Sequence, residues 1–484
     1  MFRSHFKTTV VKKMNYIATL FLGLLAFTAC NRKEFLDIKP QGIIIPTKLE
    51  DFRLLLDNVV SAASSGSVTN GLKDKHLSTV LMSDNIQLKP EFIQALYKLD
   101  TDARLYLFED KVYGPTEDDR DWNNYYQHIY VANVVLAGLQ EIDGQSSAKA
   151  VLEAEARLHR AYAYFNLVNM YAAHYNSATA GTDLGVPIRA GIELSGVDLT
   201  RASVQAVYDL VIEDILFGTK NLVDKQPFEL QFRPSKAAAF ALLARVYLYQ
   251  AKYTEALTAV EAAISLQGTL RDINNDPLSP YAPNLRIFPV QTADPEVIWF
   301  KDQGSVVINV ASDDLIGLYQ NGDLRRDWYC PMRDHLFVGA DLDGLIYAAQ
   351  LFTNHTSAGV RSSELYLIRA ECNARLDHIQ EANKDLNTLR KKRFKPASYA
   401  DVAITDKTAL LQFVKEERRR EMATDAERLF DIKRYNLLDH DNISISRSYN
   451  GKSVTVAPGS KKWVLPIADK YILINPEIKP NPRD

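Results

Sequence analysis

A chain of 484 residues exceeds what one ordinary domain needs, so two domains or one large repeat-built fold is expected. Hydrophobic residues at 46% and charged residues at 24% argue against a disordered chain. The net charge is −3, and the first 29 residues carry Arg3, Lys7, Lys12 and Lys13 without an acid. The remainder is therefore mildly acidic, which argues against non-specific nucleic-acid binding and against charge-driven docking on anionic lipid.

Lys12 and Lys13 precede an apolar run of 14 residues, Tyr16 to Ala29. It is shorter than the ~20 residues that span a bilayer as a helix, and it fits the apolar core of a secretory signal. The run ends in Phe27-Thr28-Ala29-Cys30, small residues before a cysteine, which resembles a bacterial lipobox. Residues 1–29 are accordingly expected to be a lipoprotein signal peptide, with Cys30 the lipidated residue. Several acyl chains, each contributing about 0.8 kcal/mol per buried methylene, would hold the body firmly at a membrane. Cys330 and Cys372 could pair in an oxidising compartment or stand as two buried thiols.

Beyond Cys30 and a short polar tether, Asn31-Arg32-Lys33-Glu34-Phe35, the pattern is helical. Ser147–Tyr175 is rich in small and aromatic residues, and Ser203–Leu222 places Val204, Val207, Tyr208, Val211, Ile212 and Ile215 at helical spacing. These two helices read as a split repeat around a loop holding Gly181, Gly185 and Pro187. The segment 233–268 then places Ala244, Tyr247, Ala256, Val260 and Ala263 at offsets of 3, 12, 16 and 19 from the first. That is the tetratricopeptide pattern of small residues where two antiparallel helices touch. Ser235 is the expected N-cap and Gly268 the expected C-cap. Residues 362–393 repeat the offsets with Ala370, Ala382, Leu386 and Leu389, with Asn373 in place of the aromatic residue. A fourth helical region is expected from about Asp406 to Tyr435, for about four helix pairs in all. Cys372 falls inside a repeat helix, which favours a buried thiol.

The stretches between repeats differ. Pro277, Pro280, Pro283, Pro289 and Pro295 stop helices between Gln267 and Val310. Gly322–Leu345 is charged, and Asn450-Gly451 predicts a hairpin turn. Val297–Phe300 is strand-like and apolar, so Trp299 is expected in the core. The fold class is therefore mainly α, a tetratricopeptide-like scaffold carrying a loop-rich, irregular ligand-facing half.

Several stretches, in order, resemble the SusD/RagB family of Bacteroidetes outer-membrane nutrient-binding lipoproteins. Glu34-Phe35-Leu36-Asp37-Ile38-Lys39-Pro40 resembles the family's start, and Trp122-Asn123-Asn124-Tyr125-Tyr126 with Ile129 and Asn133 resembles its first long helix. Residues 155–165, Gly185-Val186-Pro187-Ile188 and residues 200–204 resemble the next helix, loop and helix start. Glu416-Glu417-Arg418-Arg419-Arg420-Glu421 followed by residues 427–434 resembles its most distinctive motif, with Leu429 in place of an aromatic residue. Leu465-Pro466-Ile467 and Asn475-Pro476 resemble its close, with Ala468 replacing a proline. The resemblance implies one SusD-like fold over 30–484, with an N-terminal half at 30–230 and a C-terminal half at 231–484. It also implies a lipid-anchored outer-membrane protein facing the cell exterior, which binds an oligosaccharide or a peptide and acts with a SusC-type TonB-dependent transporter. An adaptor that contacts only protein is the alternative from another class. On the residues alone, the arginine-rich motif reads as an ion-paired helix face, with Glu416–Arg420 and Glu417–Arg420 attracting and Glu417–Glu421 repelling.

Sugars present apolar C–H faces and a hydroxyl rim, so aromatic rings in loops flanked by polar groups are the candidate contacts. These are Tyr113 and Trp122 beside the acidic turn Glu117–Asp121, Tyr281 in the proline-rich stretch, and Trp328 and Tyr329 after the charged Asp323–Asp327 segment. No catalytic or metal-binding motif is present, so no enzyme activity and no cofactor are expected. Asp341-Leu342-Asp343-Gly344 resembles part of a calcium loop but lacks the remaining ligands, so structural calcium is not the expectation.

Overall fold

The structure is a computed structural model and describes residues 46–58, 60–61, 68–69, 71–74, 77–88, 100–144, 146–278, 294–302, 309–329, 346–347, 359–423 and 425–484. The signal segment, Cys30, Tyr281, Cys330 and the Asp341–Gly344 stretch lie outside these residues. Ten longer helices carry the architecture: α1 (Leu49–Asp57), α2 (Arg120–Gln140), α3 (Ser147–Tyr171), α4 (Val204–Asn221), α5 (Lys236–Tyr249), α6 (Tyr253–Gln267), α7 (Ser362–Arg375), α8 (Ile379–Arg390), α9 (Lys407–Glu421) and α10 (Arg428–Leu438).

Side-chain caps set where half of these helices begin. The Asp119 carboxylate accepts from the backbone N–H of Asp121 and Trp122 at the start of α2. The hydroxyls of Ser146, Ser203 and Ser235 do the same for α3, α4 and α5, and Asp406 does so for α9. Each cap satisfies a donor that the first turn leaves open, worth about 1 kcal/mol. At the other end of α6, Gly268 stands at the C-cap with φ −115, outside the left-handed region. Glycine is needed there for space instead: a Cβ would sit 2.6 Å from the Ile264 carbonyl oxygen.

The helices stack in chain order, α2 on α3, α3 on α4, α4 on α5, α5 on α6, α6 on α7 and α7 on α8. Small residues let the axes close up. Ala244, Ala256, Val260 and Ala263 are fully buried, and so are Ala370, Ala382, Leu386 and Leu389. The tetratricopeptide spacing is thus realised in both α5/α6 and α7/α8. Tyr247 is only partly buried at the edge of the main core. The free thiol of Cys372 is buried in α7. The fourth expected region is broken between Glu421 and Arg428. There α9 packs on α7 and α8, while α10 packs on the short helix Leu77–Met82.

Strands are short. Val297–Trp299 pairs antiparallel with Val360–Arg361 and buries Trp299 completely. Gly359 precedes that pairing, and a Cβ on it would lie 1.7 Å from the Trp299 carbonyl oxygen. Gly359→Ala is therefore expected to shift the strand and cost about 1–3 kcal/mol, read as a lowered urea midpoint. Ile445–Tyr449 and Lys452–Val456 form the predicted hairpin, with Asn450 at φ 48 and Gly451 at φ 76, the two left-handed residues of a type I′ turn.

The arginine-rich motif is an ion-paired helix segment as expected, and its pairs reach beyond its own helix. Arg418, Arg420, Glu417 and Glu421 are all buried. Arg325 reaches α9 from the charged segment after Gly322, pairing with Glu417 at 2.7 Å and Glu421 at 3.0 Å. The expected repulsion of the two glutamates is thus replaced by a shared guanidinium. Glu417 also pairs with Arg390 and Arg420, and Glu421 pairs with Arg393. Arg418 bridges Glu364 on α7 and Asp431 on α10. The motif locks the last repeat to its neighbours through buried charges. Among the described residues no helix is long and apolar enough to cross a membrane.

Candidate ligand-binding clefts

Among the described residues, two of the clefts lie at the ends of the repeat helices. The larger, about 660 Å³, lies where the chain leaves α3 and α10 and meets the segments 458–464 and 481–482. Local hydrogen bonds fix each wall. Asn436 clamps the chain after α10, donating to the Ile443 carbonyl at 2.9 Å and accepting from the Ile443 N–H at 2.7 Å. This holds His440 and Asn442 in left-handed conformation, both at φ 55. Asn481 donates to the Tyr171 and Leu465 carbonyls, each at 2.8 Å. Trp463 turns its indole inward, is 4% exposed and donates Nε1–H to the Ala457 carbonyl at 2.7 Å. It supports the wall and offers no open face.

The floor of this cleft is basic. Lys433 of α10 is buried and donates to the Asn169 and Ala172 carbonyls at 2.6 and 2.7 Å, capping the carbonyl end of α3. Burial pushes its pKa down to about 7. His174 is 5% exposed. Burial first, then the charges of Lys433 and Arg434, holds the imidazole well below its ordinary value, so it is neutral. One ring nitrogen interacts with the Tyr249 backbone, and the other has no hydrogen-bond partner among the described residues.

The smaller groove, about 530 Å³, runs along the end of α6. Phe228 stands on its rim, 46% exposed on the turn Phe228–Leu230. Tyr366 of α7 donates its hydroxyl to the Gly268 carbonyl at 3.1 Å, with the Arg369 guanidinium 5.2 Å from its ring centre. Lys225, Gln226 and Gln267 complete a lining that mixes an open ring with hydrogen-bonding groups.

The five aromatic candidates fall elsewhere. Tyr113 is 7% and Trp122 6% exposed, and neither lines a described cleft. Trp122 is held by Tyr126 at 4.8 Å, Tyr171 at 4.9 Å and Tyr471 at 6.1 Å between ring centres. The acidic turn beside them is a helix cap: Asp119 also accepts the Tyr171 hydroxyl at 2.6 Å. Both rings are packing residues in this structure, a correction to their expected exposure. Trp328 and Tyr329 end the short helix Leu324–Tyr329, and their side chains lie outside the described residues, as does Tyr281. His174, Lys433 and Phe228 were not among the candidates. Lys433 sits in a motif that reads as scaffold, and only the exposed Phe228 beside Pro227 carried a local signal.

Helix pairs at tetratricopeptide spacing, with clefts formed where irregular chain meets their ends, define a repeat scaffold of the binding class. Residues 34–248 match a SusD-like family described as starch-binding and associating with the outer membrane, and residues 351–483 match the SusD family. The chain belongs to the SusD/RagB family. A SusD-like protein of Formosa agariphila is 22% identical over 422 residues, covering 73% of this chain and 77% of the relative. A SusD superfamily protein from Bacteroides thetaiotaomicron has the same fold, with a TM-score of 0.69 at 20% identity over 90% of this chain and 100% of that one. A SusD-like carbohydrate binding protein from Bacteroides vulgatus gives 0.65 at 17% identity over 90% and 98%.

Proposed function

We propose that the protein is an outer-membrane lipoprotein, anchored through Cys30, that binds oligosaccharide at the cell surface and acts with a SusC-type TonB-dependent transporter in nutrient uptake. The observation that carries this reading is the match of SusD-type families to both halves of the chain, the first of them described as starch-binding and outer-membrane associating. The scaffold supports it by leaving an exposed ring, Phe228, beside amide and ammonium groups along the groove at α6. A pyranose can lay its C–H face on such a ring while its hydroxyls meet the polar rim. Tyr281, Trp328 and Tyr329 are proposed as further contacts. The role is one of binding, without catalysis.

The test is affinity gel electrophoresis of the soluble body from Asn31 onward against a glycan panel, with peptide pools run alongside. One glycan class should retard the protein. Phe228→Ala, Tyr281→Ala and Trp328→Ala are each expected to weaken retention about fivefold, the value of one stacked ring at about 1 kcal/mol. Retention by peptides with no glycan signal would replace this reading with a peptide-binding one. Pull-down of the lipidated protein from membranes tests the transporter partner separately.

A further inference from the structure

We infer that the larger cleft, between the ends of α3 and α10, is a binding site for a carboxylate-bearing sugar, a uronate unit, whose acid group meets Lys433 and whose hydroxyls meet His174. Three observations carry this. First, Lys433 is a buried cation whose hydrogen-bond partners among the described residues are two backbone carbonyls. An ammonium has three protons, so one donor remains beyond the two carbonyls. A buried charge without a counter-ion is costly, which is why burial brings this amine down to about 7, and among the described residues its partners are carbonyls and not a carboxylate. An anion entering the cleft would supply that counter-charge.

Second, His174 lines the same cleft, is more than nine-tenths buried, and has one ring nitrogen beyond its Tyr249 backbone contact that lacks a hydrogen-bond partner among the described residues. Buried polar atoms in native proteins are nearly always paired. An imidazole held neutral by its surroundings can accept a hydroxyl proton at that nitrogen and does not repel a nearby cation. Third, cations outnumber acids in the lining. Lys461 adds a second cation at the rim and the Asn176 amide lies on the wall, while the single acid among the lining residues, Asp183, keeps its charge and accepts from the Thr179 hydroxyl at 2.6 Å. The volume, about 660 Å³, lies within the ~300–1,000 Å³ of ordinary ligand pockets.

The sugar part of this inference rests on the saccharide-binding reading; the anion part stands on the cleft alone. The experiment is titration calorimetry of the soluble body with D-glucuronate oligomers, neutral D-glucose oligomers and acetate, on the natural protein and two variants. His174→Phe keeps a ring of similar size and removes both nitrogens. Lys433→Met removes the charge, and circular dichroism establishes whether each variant folds. The expected result is uronate binding that weakens at least tenfold in His174→Phe and is lost in Lys433→Met, while Lys433→Arg retains it. Should Lys433→Met fail to fold, His174→Phe alone decides.

Equal affinity for glucose and glucuronate oligomers, or uronate binding unchanged in His174→Phe, would overturn the site. Acetate bound as tightly as the uronate would overturn the sugar assignment. Neutral glycans bound through Phe228, with no uronate response, would refute this site and leave the proposed function standing.

Discussion

Glu417→Ala is expected to lower stability by about 3–5 kcal/mol, the cost of stripping one partner from a buried ion network. Glu417 is fully buried and is paired with Arg325, Arg390 and Arg420 at 2.7, 2.9 and 3.0 Å. Removing its carboxylate takes one counter-charge from three buried guanidiniums that do not shed their protons. It leaves Arg325 with Asp323 and Glu421, Arg420 with the more distant Glu416 at 3.8 Å, and Arg390 with the neutral Gln320. Glu417→Gln should cost less, because the amide keeps two hydrogen-bonding positions, but it still removes the charge. Urea unfolding of both variants would order them, and a loss below 1 kcal/mol in Glu417→Ala would show that the cluster does not hold the last repeat.

The same network predicts acid behaviour. Burial pushes the Glu421 carboxyl up, but Arg393 and Arg325 outweigh it and bring the pKa from 4.5 to about 2. Glu417 is held well below its ordinary value by the balance of burial against Arg325, Arg420 and Arg390. Carboxyls lowered in this way stabilise fully above the unfolded value and cease to do so as pH falls through the folded one. Stability should therefore decline between about pH 4.5 and 2, and Glu421→Gln should flatten that limb in a series of urea midpoints.

Trp299→Ala is expected to cost about 3–5 kcal/mol as a large core truncation. The ring is fully buried, edge-on to His159 at 5.2 Å and Tyr162 at 5.3 Å. The Lys301 ammonium lies 4.3 Å from its centre, and its Nε1 donates to the Phe232 carbonyl at 3.1 Å. Truncation would open a cavity, strand that carbonyl and withdraw the aromatic face from a buried cation. Trp299→Phe keeps a smaller ring and loses both the hydrogen bond, worth about 1–3 kcal/mol when the acceptor stays buried, and part of the packing. It should therefore fall between the natural protein and Trp299→Ala in thermal unfolding.

Local signals carried most of the fold. The offsets from Ala244 and Ala370 found both repeat pairs because burial at a helix crossing demands small residues at fixed spacing. Ser235 capped where expected, and Asn450-Gly451 turned where expected, because each acts through its own backbone. What escaped depends on residues far apart. Arg325 meets Glu421 across 96 positions, so the sequence showed only the ion pairs within α9 and not those reaching it from elsewhere. The same limit governed the site. Trp122 looked accessible because its neighbours are acidic, yet one of those acids is a helix cap. Lys433 and the carbonyls it caps are 264 and 261 positions apart, and no local pattern announces such a floor.

The ties between the end of the chain and α3 impose an order on biogenesis. Leu465 donates its N–H to the Met170 carbonyl, Arg201 donates to Lys479, and Asn481 closes on Tyr171 across 310 positions. A ribosome needs roughly 15–60 s to cover that separation at ~5–20 residues per second. Throughout that interval the nascent N-terminal helices lack their last covering segment and present apolar surface to whatever is nearby. A frameshift near codon 460, which removes those ties, is therefore expected to yield an aggregation-prone product that proteases clear.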